Sequence, residues 1–127
     1  NPSTADAEED DATIRRLRGF QRDWGYTGFT VVNLYSLRSR DPKQLKTHYD
    51  PVGPHNDTYI RRAMTKAWAP VMAWGNALPD TSRAEWFLDQ FRSIDLYHLG
   101  LTRAGQPRHP LYLPSSSKPI LYQGAKA

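Results

Sequence analysis

The chain contains no cysteine. Disulfides, thiolate zinc sites and a cysteine nucleophile are therefore excluded. It lacks any run approaching about 18 apolar residues, so no stretch reads as a transmembrane span. No signal-peptide pattern is present, and a cytoplasmic location is the expectation. P-loop, GxGxxG and GxSxG patterns are absent as well. ATP hydrolysis, dinucleotide binding and serine-hydrolase chemistry thus have no motif behind them. His48, His55, His98 and His109 show no metal-ligand spacing with one another.

Hydrophobic residues make up 39% of the 127 positions and charged residues 24%, with four Trp, seven Tyr and four Phe. That composition supports one globular core, so we expect a single domain over 1–127 with a Ser/Lys/Gly-rich tail from 115 to 127. The net charge of +4 is compatible with a polyanionic partner without requiring one.

The chain opens on Asn1-Pro2-Ser3-Thr4. A residue before proline is pushed out of the helical region, so this reads as a turn, and such a turn normally follows a strand. We therefore expect an upstream first strand in the natural protein, the alternative being an N-terminus processed at this point. Residues 1–9 read as turn and acidic loop. "DDATIRRLRGFQRDWG" reads as a helix capped by Asp10 or Asp11 and ended by Gly25, with Leu17, Phe20 and Trp24 on one stripe. "FTVVNL" (29–34) has the β-branched, apolar character of a buried strand. A Pro/Asp/Gly-dense loop follows. Helices are expected over 56–68, capped by Asn56 or Asp57, and over 81–92, with Ser82 and Glu85 as a capping box. "PVMAWG" (70–75) and "IDLYHLG" (94–100) read as strands, and "KPILYQ" as a short edge strand. Helix and strand alternate, which predicts a three-layer α/β/α sandwich around a short, mainly parallel sheet. In such sheets the site lies at the carboxyl ends of the strands.

Several residues collect at those ends. His109 sits between Pro107 and Pro110, which stiffen its loop. A positioned histidine donates a hydrogen bond to charge building on a leaving group; the plainer reading is a loop histidine that packs. Asn33 closes an apolar strand, where its amide can pair with a planar ligand or brace a neighbouring loop. Asn1 can hold a water or serve only the turn. Asp6, Glu8, Glu9, Asp10 and Asp11 can hold magnesium, or simply complement a helix N-terminus. Arg15, Arg18 and Arg22 share a helix face, with Arg16 beside them and Arg38 in the next loop. They suit phosphate contacts, or form a solvated helix face.

Taken together, "NPSTADAEEDDATIRR", "GFQRDWGYTGFTVVNLYSLRSRDP", "DPVGPHND", "AWG" and "LGLTRAGQPRHPLYLP" resemble an uncharacterised bacterial and phage family, a domain of unknown function numbered sixteen-forty-three. The same motifs, in the same order, look like a diverged uracil-DNA glycosylase superfamily. That resemblance implies roles for matching positions. Asn1 would position the attacking water, with Pro2 and Ser3 shaping the turn against the base. Asn33 would read the edge of a flipped base, and an aromatic near Phe20 would stack on it. His109 would stabilise the departing base anion, and no metal or organic cofactor would be required. Leu111 or Tyr112 would take the place of the wedge inserted into the duplex, and Arg108 would lie beside it on DNA. Ser3, the Tyr35-Ser36 pair and the lack of a serine after His109-Pro110 depart from the superfamily's pattern. The substrate class thus stays open among uracil, a modified base, a nucleoside and a nucleotide. The expected function is a nucleobase-recognising, glycosylase-like hydrolase with a nucleic acid or nucleotide as partner. A non-catalytic nucleic-acid or modified-base module is the rival.

Overall fold

A computed structural model describes residues 4–35, 55–111 and 113–124. Among these the chain is mixed α/β. The elements run α1 (Thr4–Asp23), α2 (Asn56–Lys66), β1 (Val71–Met72), α3 (Ser82–Gln90), β2 (Tyr97–His98) and β3 (Ile120–Leu121). The sheet order is β1-β2-β3. β1 pairs parallel to β2 with Val71 opposite Tyr97, and β3 pairs antiparallel to β2 with Leu121 opposite Tyr97. The sheet is thus mixed, one parallel and one antiparallel pair. The antiparallel strand is the edge strand expected in the tail. No described helix is long and apolar enough to cross a membrane.

The apolar stripe decides how α1 docks. Phe20 is 1% exposed and packs with Leu99 and Leu113, flanked by Leu17, Trp24 and Val71. Burying a side chain of that size stabilises by about 1.5–3 kcal/mol. The helix ends where Gly25 adopts φ 81°: Gly25 N–H donates to the Arg22 carbonyl and Tyr26 N–H to that of Gln21. These two bonds form a Schellman motif, and the positive φ is why glycine stands there. Helix α1 begins earlier than the sequence suggests, at Thr4 rather than Asp10. Alanines and acids extend a helix at its positive end, so the acidic stretch is helical, not loop.

A second cluster holds Leu34, Tyr35, Ile60, Met64, Met72, Ala84, Phe87, Phe91 and Leu96. Met72 belongs to it, while its neighbour Val71 packs with the α1 cluster. Successive strand residues face opposite sides of a sheet. Val71 therefore joins the Phe20 cluster and Met72 the Ile60–Phe87 cluster from opposite faces of β1.

The expected strand over 29–34 is not formed among the described residues. Phe29, Val31 and Val32 are exposed, and only Leu34 and Tyr35 enter the core. Here side chains replace the backbone ladder. Asn56 Nδ2 donates to the carbonyls of Asn33 (2.9 Å) and Leu34 (3.0 Å), and Arg83 Nε donates to the Leu34 carbonyl at 2.9 Å. This also corrects the expected cap of α2. His55 is the N-cap, without a side-chain bond; Asn56 is committed to the 33–34 carbonyls and Asp57 to Arg83. At α3 the expected Ser82–Glu85 box is replaced by its neighbours. Asp80 Oδ1 accepts the Ser82 N–H at 2.9 Å, and Thr81 Oγ1 donates to Glu85 Oε1 at 3.2 Å.

Tyr35 supplies a pH test of this core. Burial pushes its phenol above the usual value of 10.0, and the charge of Asp80 adds to the shift. A hydrogen bond with Ser82 and the charge of Arg83 pull the other way. A raised folded value means that the stabilising contribution is complete below pH 10 and is lost as pH climbs through the folded value. Thermal melts from pH 8 to 11 should therefore fall more steeply for the parent protein than for Tyr35→Phe.

Candidate functional site at the ends of the parallel strands

The two parallel strands end side by side, and the 101–111 loop lies across both ends. After β2, Leu101 and Pro107 form an isolated antiparallel bridge. Thr102 N–H donates to the Gln106 carbonyl at 2.7 Å, and Gly105 N–H to the Thr102 carbonyl at 2.9 Å. This tight turn carries the chain back over the sheet edge. Gly75 N–H, at the end of β1, donates to the Pro107 carbonyl at 2.7 Å; Arg108 N–H donates to the Gly100 carbonyl, after β2, at 2.9 Å. The backbone on either side of His109 is thereby tied to both strand ends.

Side chains reinforce the tie. Trp74 Nε1 donates to Gln106 Oε1 at 2.7 Å, Thr102 Oγ1 to Asn76 Oδ1 at 2.8 Å, and Gln106 N–H to Thr102 Oγ1 at 3.1 Å. Sequence reasoning missed Asn76, Thr102 and Gln106. The only local signal was Thr102 and Gln106 flanking a Gly105 turn.

His109 is exposed, and its Nδ1 accepts the Leu111 N–H at 3.1 Å. A ring nitrogen that accepts carries no hydrogen, so this bond assigns the neutral ring's proton to Nε2. Nε2 lies on the side of the ring away from Leu111. Its backbone meets Gly75 closely: a Cβ on Gly75 would lie 3.3 Å from His109 Cβ, at φ 67°. Gly75→Ala should thus suffer twice, from a left-handed backbone and from crowding His109. We expect about 1–2 kcal/mol of lost stability, read as a lower thermal midpoint. A shifted His109 imidazole NMR signal would report the crowding.

The other expected site residues sort into separate places. Leu111 lies with Arg15, Arg16, Gly19 and Arg22 along a groove of about 430 Å³ between α1 and Ser115. Arg18 and Arg22 line a neighbouring hollow with Gln21, Gly28 and Phe29. Asn33 is exposed, and its carbonyl accepts from Asn56 Nδ2 beside the Leu34 carbonyl that Arg83 holds. Phe20, expected against a base, is instead committed to the core, its ring stacked on Trp24 at 4.9 Å and 3°. Arg108 is exposed beside Gly100. Asn1, Pro2, Ser3, Arg38 and Tyr112 lie outside the described residues. Among the described residues no group of three His, Cys, Asp or Glu is arranged to hold a metal ion.

Arg83 was also missed by sequence reasoning. It is buried, its Nη2 pairs with Asp57 Oδ1 at 2.6 Å, and its guanidinium lies 4.2 Å from the Trp86 ring centre. It acts on Asn33 by holding the next carbonyl in the chain.

A family model described as "Protein of unknown function (DUF1643)" matches residues 1–111. The chain belongs to the DUF1643 family. The matched stretch takes in α1, both parallel strands and the whole 101–111 loop, so the elements that position His109 are family elements. The match ends before β3. No curated protein and no solved structure matches the chain.

Proposed function

We propose that this DUF1643 protein binds a nucleobase in DNA or in a nucleotide and hydrolyses its N-glycosidic bond, on a uracil-DNA glycosylase-like three-layer scaffold. One observation carries the proposal: His109 Nδ1 accepts the Leu111 N–H, which leaves Nε2 as the ring's donor nitrogen, in a loop tied to the carboxyl ends of both parallel strands. The separate cores on the two sides of β1 support the layered scaffold.

In the proposed reaction a water oxygen bonds to the anomeric carbon and the C–N bond breaks. The base leaves with the electron pair. Its anion is stabilised by the His109 donor and then takes a proton from solvent; the added water loses one of its two protons to solvent and keeps the other as the sugar hydroxyl. A fixed donor aimed at developing charge is worth more than one that must reorient. Asn33, whose carbonyl is held by Asn56, would read the base edge, and Asn1 would hold the water.

The experiment is to incubate the natural gene product with DNA and nucleotides carrying a panel of natural and modified bases, and to detect free base by mass spectrometry. Release of one base establishes hydrolysis and names the substrate. A folded protein that binds an oligonucleotide yet releases nothing from the panel overturns the hydrolase and leaves base binding.

A further inference from the structure

Gly19 stands in the interior of the 20-residue helix α1. Glycine there weakens a helix relative to alanine. Internal packing does not ask for it, because a Cβ built on Gly19 meets nothing within 4 Å. It lines the open groove beside α1, four residues after Arg15 and three before Arg22, hence on one helix face between them. Among the described residues the ion pairs are Arg83–Asp57 and Arg92–Asp89, neither of them on this face. Arg22 lines both this groove and the hollow that holds Arg18 and Phe29. The two depressions therefore meet at Arg22. Among residues whose side chains are described, the acids here are Asp23, which lines the groove, and Asp11, one turn before Arg15.

We infer that this face of α1 is a track for a single nucleic-acid strand, with Gly19 bare so that the sugar-phosphate backbone can lie against the helix. Arg15 and Arg22 are about 10 Å apart along the axis, too far to serve one phosphate and suited to successive phosphates. Phe29 is 41% exposed at the far end, where an unstacked base can lie on its ring. An exposed aromatic beside a row of guanidinium groups favours a single strand over a duplex, whose bases are already stacked. The inference deepens the proposed function and rests on it for the identity of the polyanion.

The test measures anisotropy of a labelled oligothymidylate with the full chain, across salt concentrations, for the parent, Gly19→Ala, Gly19→Leu and Phe29→Ala. The parent's log affinity should fall against log salt with a slope of about −2, for phosphate contacts from Arg15, Arg18 and Arg22. Both Gly19 variants should melt at or above the parent's temperature, since both residues favour helix. Their affinities should nevertheless fall in the order parent, Ala, Leu, with Leu losing about tenfold and part of the salt slope. Phe29→Ala should lose about tenfold with the slope kept.

Equal affinity for parent and Gly19→Leu overturns the track. So does preference for duplex, absence of oligonucleotide binding, or binding to phosphatidylglycerol vesicles in its place. The two proposals fail separately. Base release that needs His109 but ignores Gly19 removes the track alone. Gly19-dependent binding without base release removes the hydrolase alone.

Discussion

Replacing Arg83 by methionine is expected to cost about 3 kcal/mol and to lower the thermal midpoint by about 10 °C. The aliphatic stem is retained, so the loss falls on the head group. Three interactions go together: the pair with Asp57 at 2.6 Å, the bond from Nε to the Leu34 carbonyl at 2.9 Å, and the stack on Trp86. Removing one partner of a buried pair costs about 3–5 kcal/mol when both charges are buried. The Asp57 side chain is 38% exposed, so water recovers part of that charge's solvation and the pair contributes the lower end. The Leu34 carbonyl, in a buried residue, keeps the Asn56 bond alone. The cation–π contact adds about 1 kcal/mol. Asp57→Asn separates these contributions: it removes the charge pair but leaves Leu34 held, so it should lose less than half as much. Arg83→Lys should resemble methionine more than the parent, because one ammonium cannot reach both acceptors in the guanidinium's fork. Limited proteolysis gives a second readout. Cleavage within 29–35 should accelerate in Arg83→Met and not in Asp57→Asn. Equal cleavage in the two would mean that Asn56 alone holds that segment.

The same cluster explains what the sequence could and could not say. The end of α1 was legible because a Gly25 terminator is a local signal, written in neighbouring residues and answered by bonds to Arg22 and Gln21. β1, β2 and the edge strand β3 all fall inside short apolar stretches, for the same reason. Strand character over 29–34 was misleading. Propensity describes what a segment can pair with, and here Asn56 and Arg83 supply the partners that a neighbouring strand would have supplied. Asn56 and Asp57 look like helix caps in sequence, yet each has a partner 22 to 26 residues away. Tertiary bonds of that range leave no periodic trace. His109 stood out because two prolines bracket it. Asn76, Thr102 and Gln106 did not, although they fix its loop, because their bonds connect residues 26 and 32 positions apart. Arg83 was hidden by its position on the apolar face of α3, one turn before Phe87.

On the proposed chemistry, His109→Ala is expected to reduce base release by about 10²–10³-fold, the usual cost of removing one preorganised donor at a developing anion. The change should fall on turnover rather than on substrate binding, because the hydrogen bond to the base strengthens only as charge accumulates. His109→Gln and His109→Asn refine the assignment. A glutamine amide nitrogen occupies nearly the position of imidazole Nε2, whereas an asparagine nitrogen reaches only that of Nδ1. The structure gives Nδ1 an accepting role, toward the Leu111 N–H at 3.1 Å. Glutamine should therefore recover part of the lost rate and asparagine should not. Stability should change little in all three, since the ring is exposed. A merely structural histidine would give the reverse pattern: melting temperatures that follow the substitutions and a release rate that does not. Recovery by asparagine instead of glutamine would place the reacting group on the Nδ1 side and would require the Leu111 bond to open during the reaction.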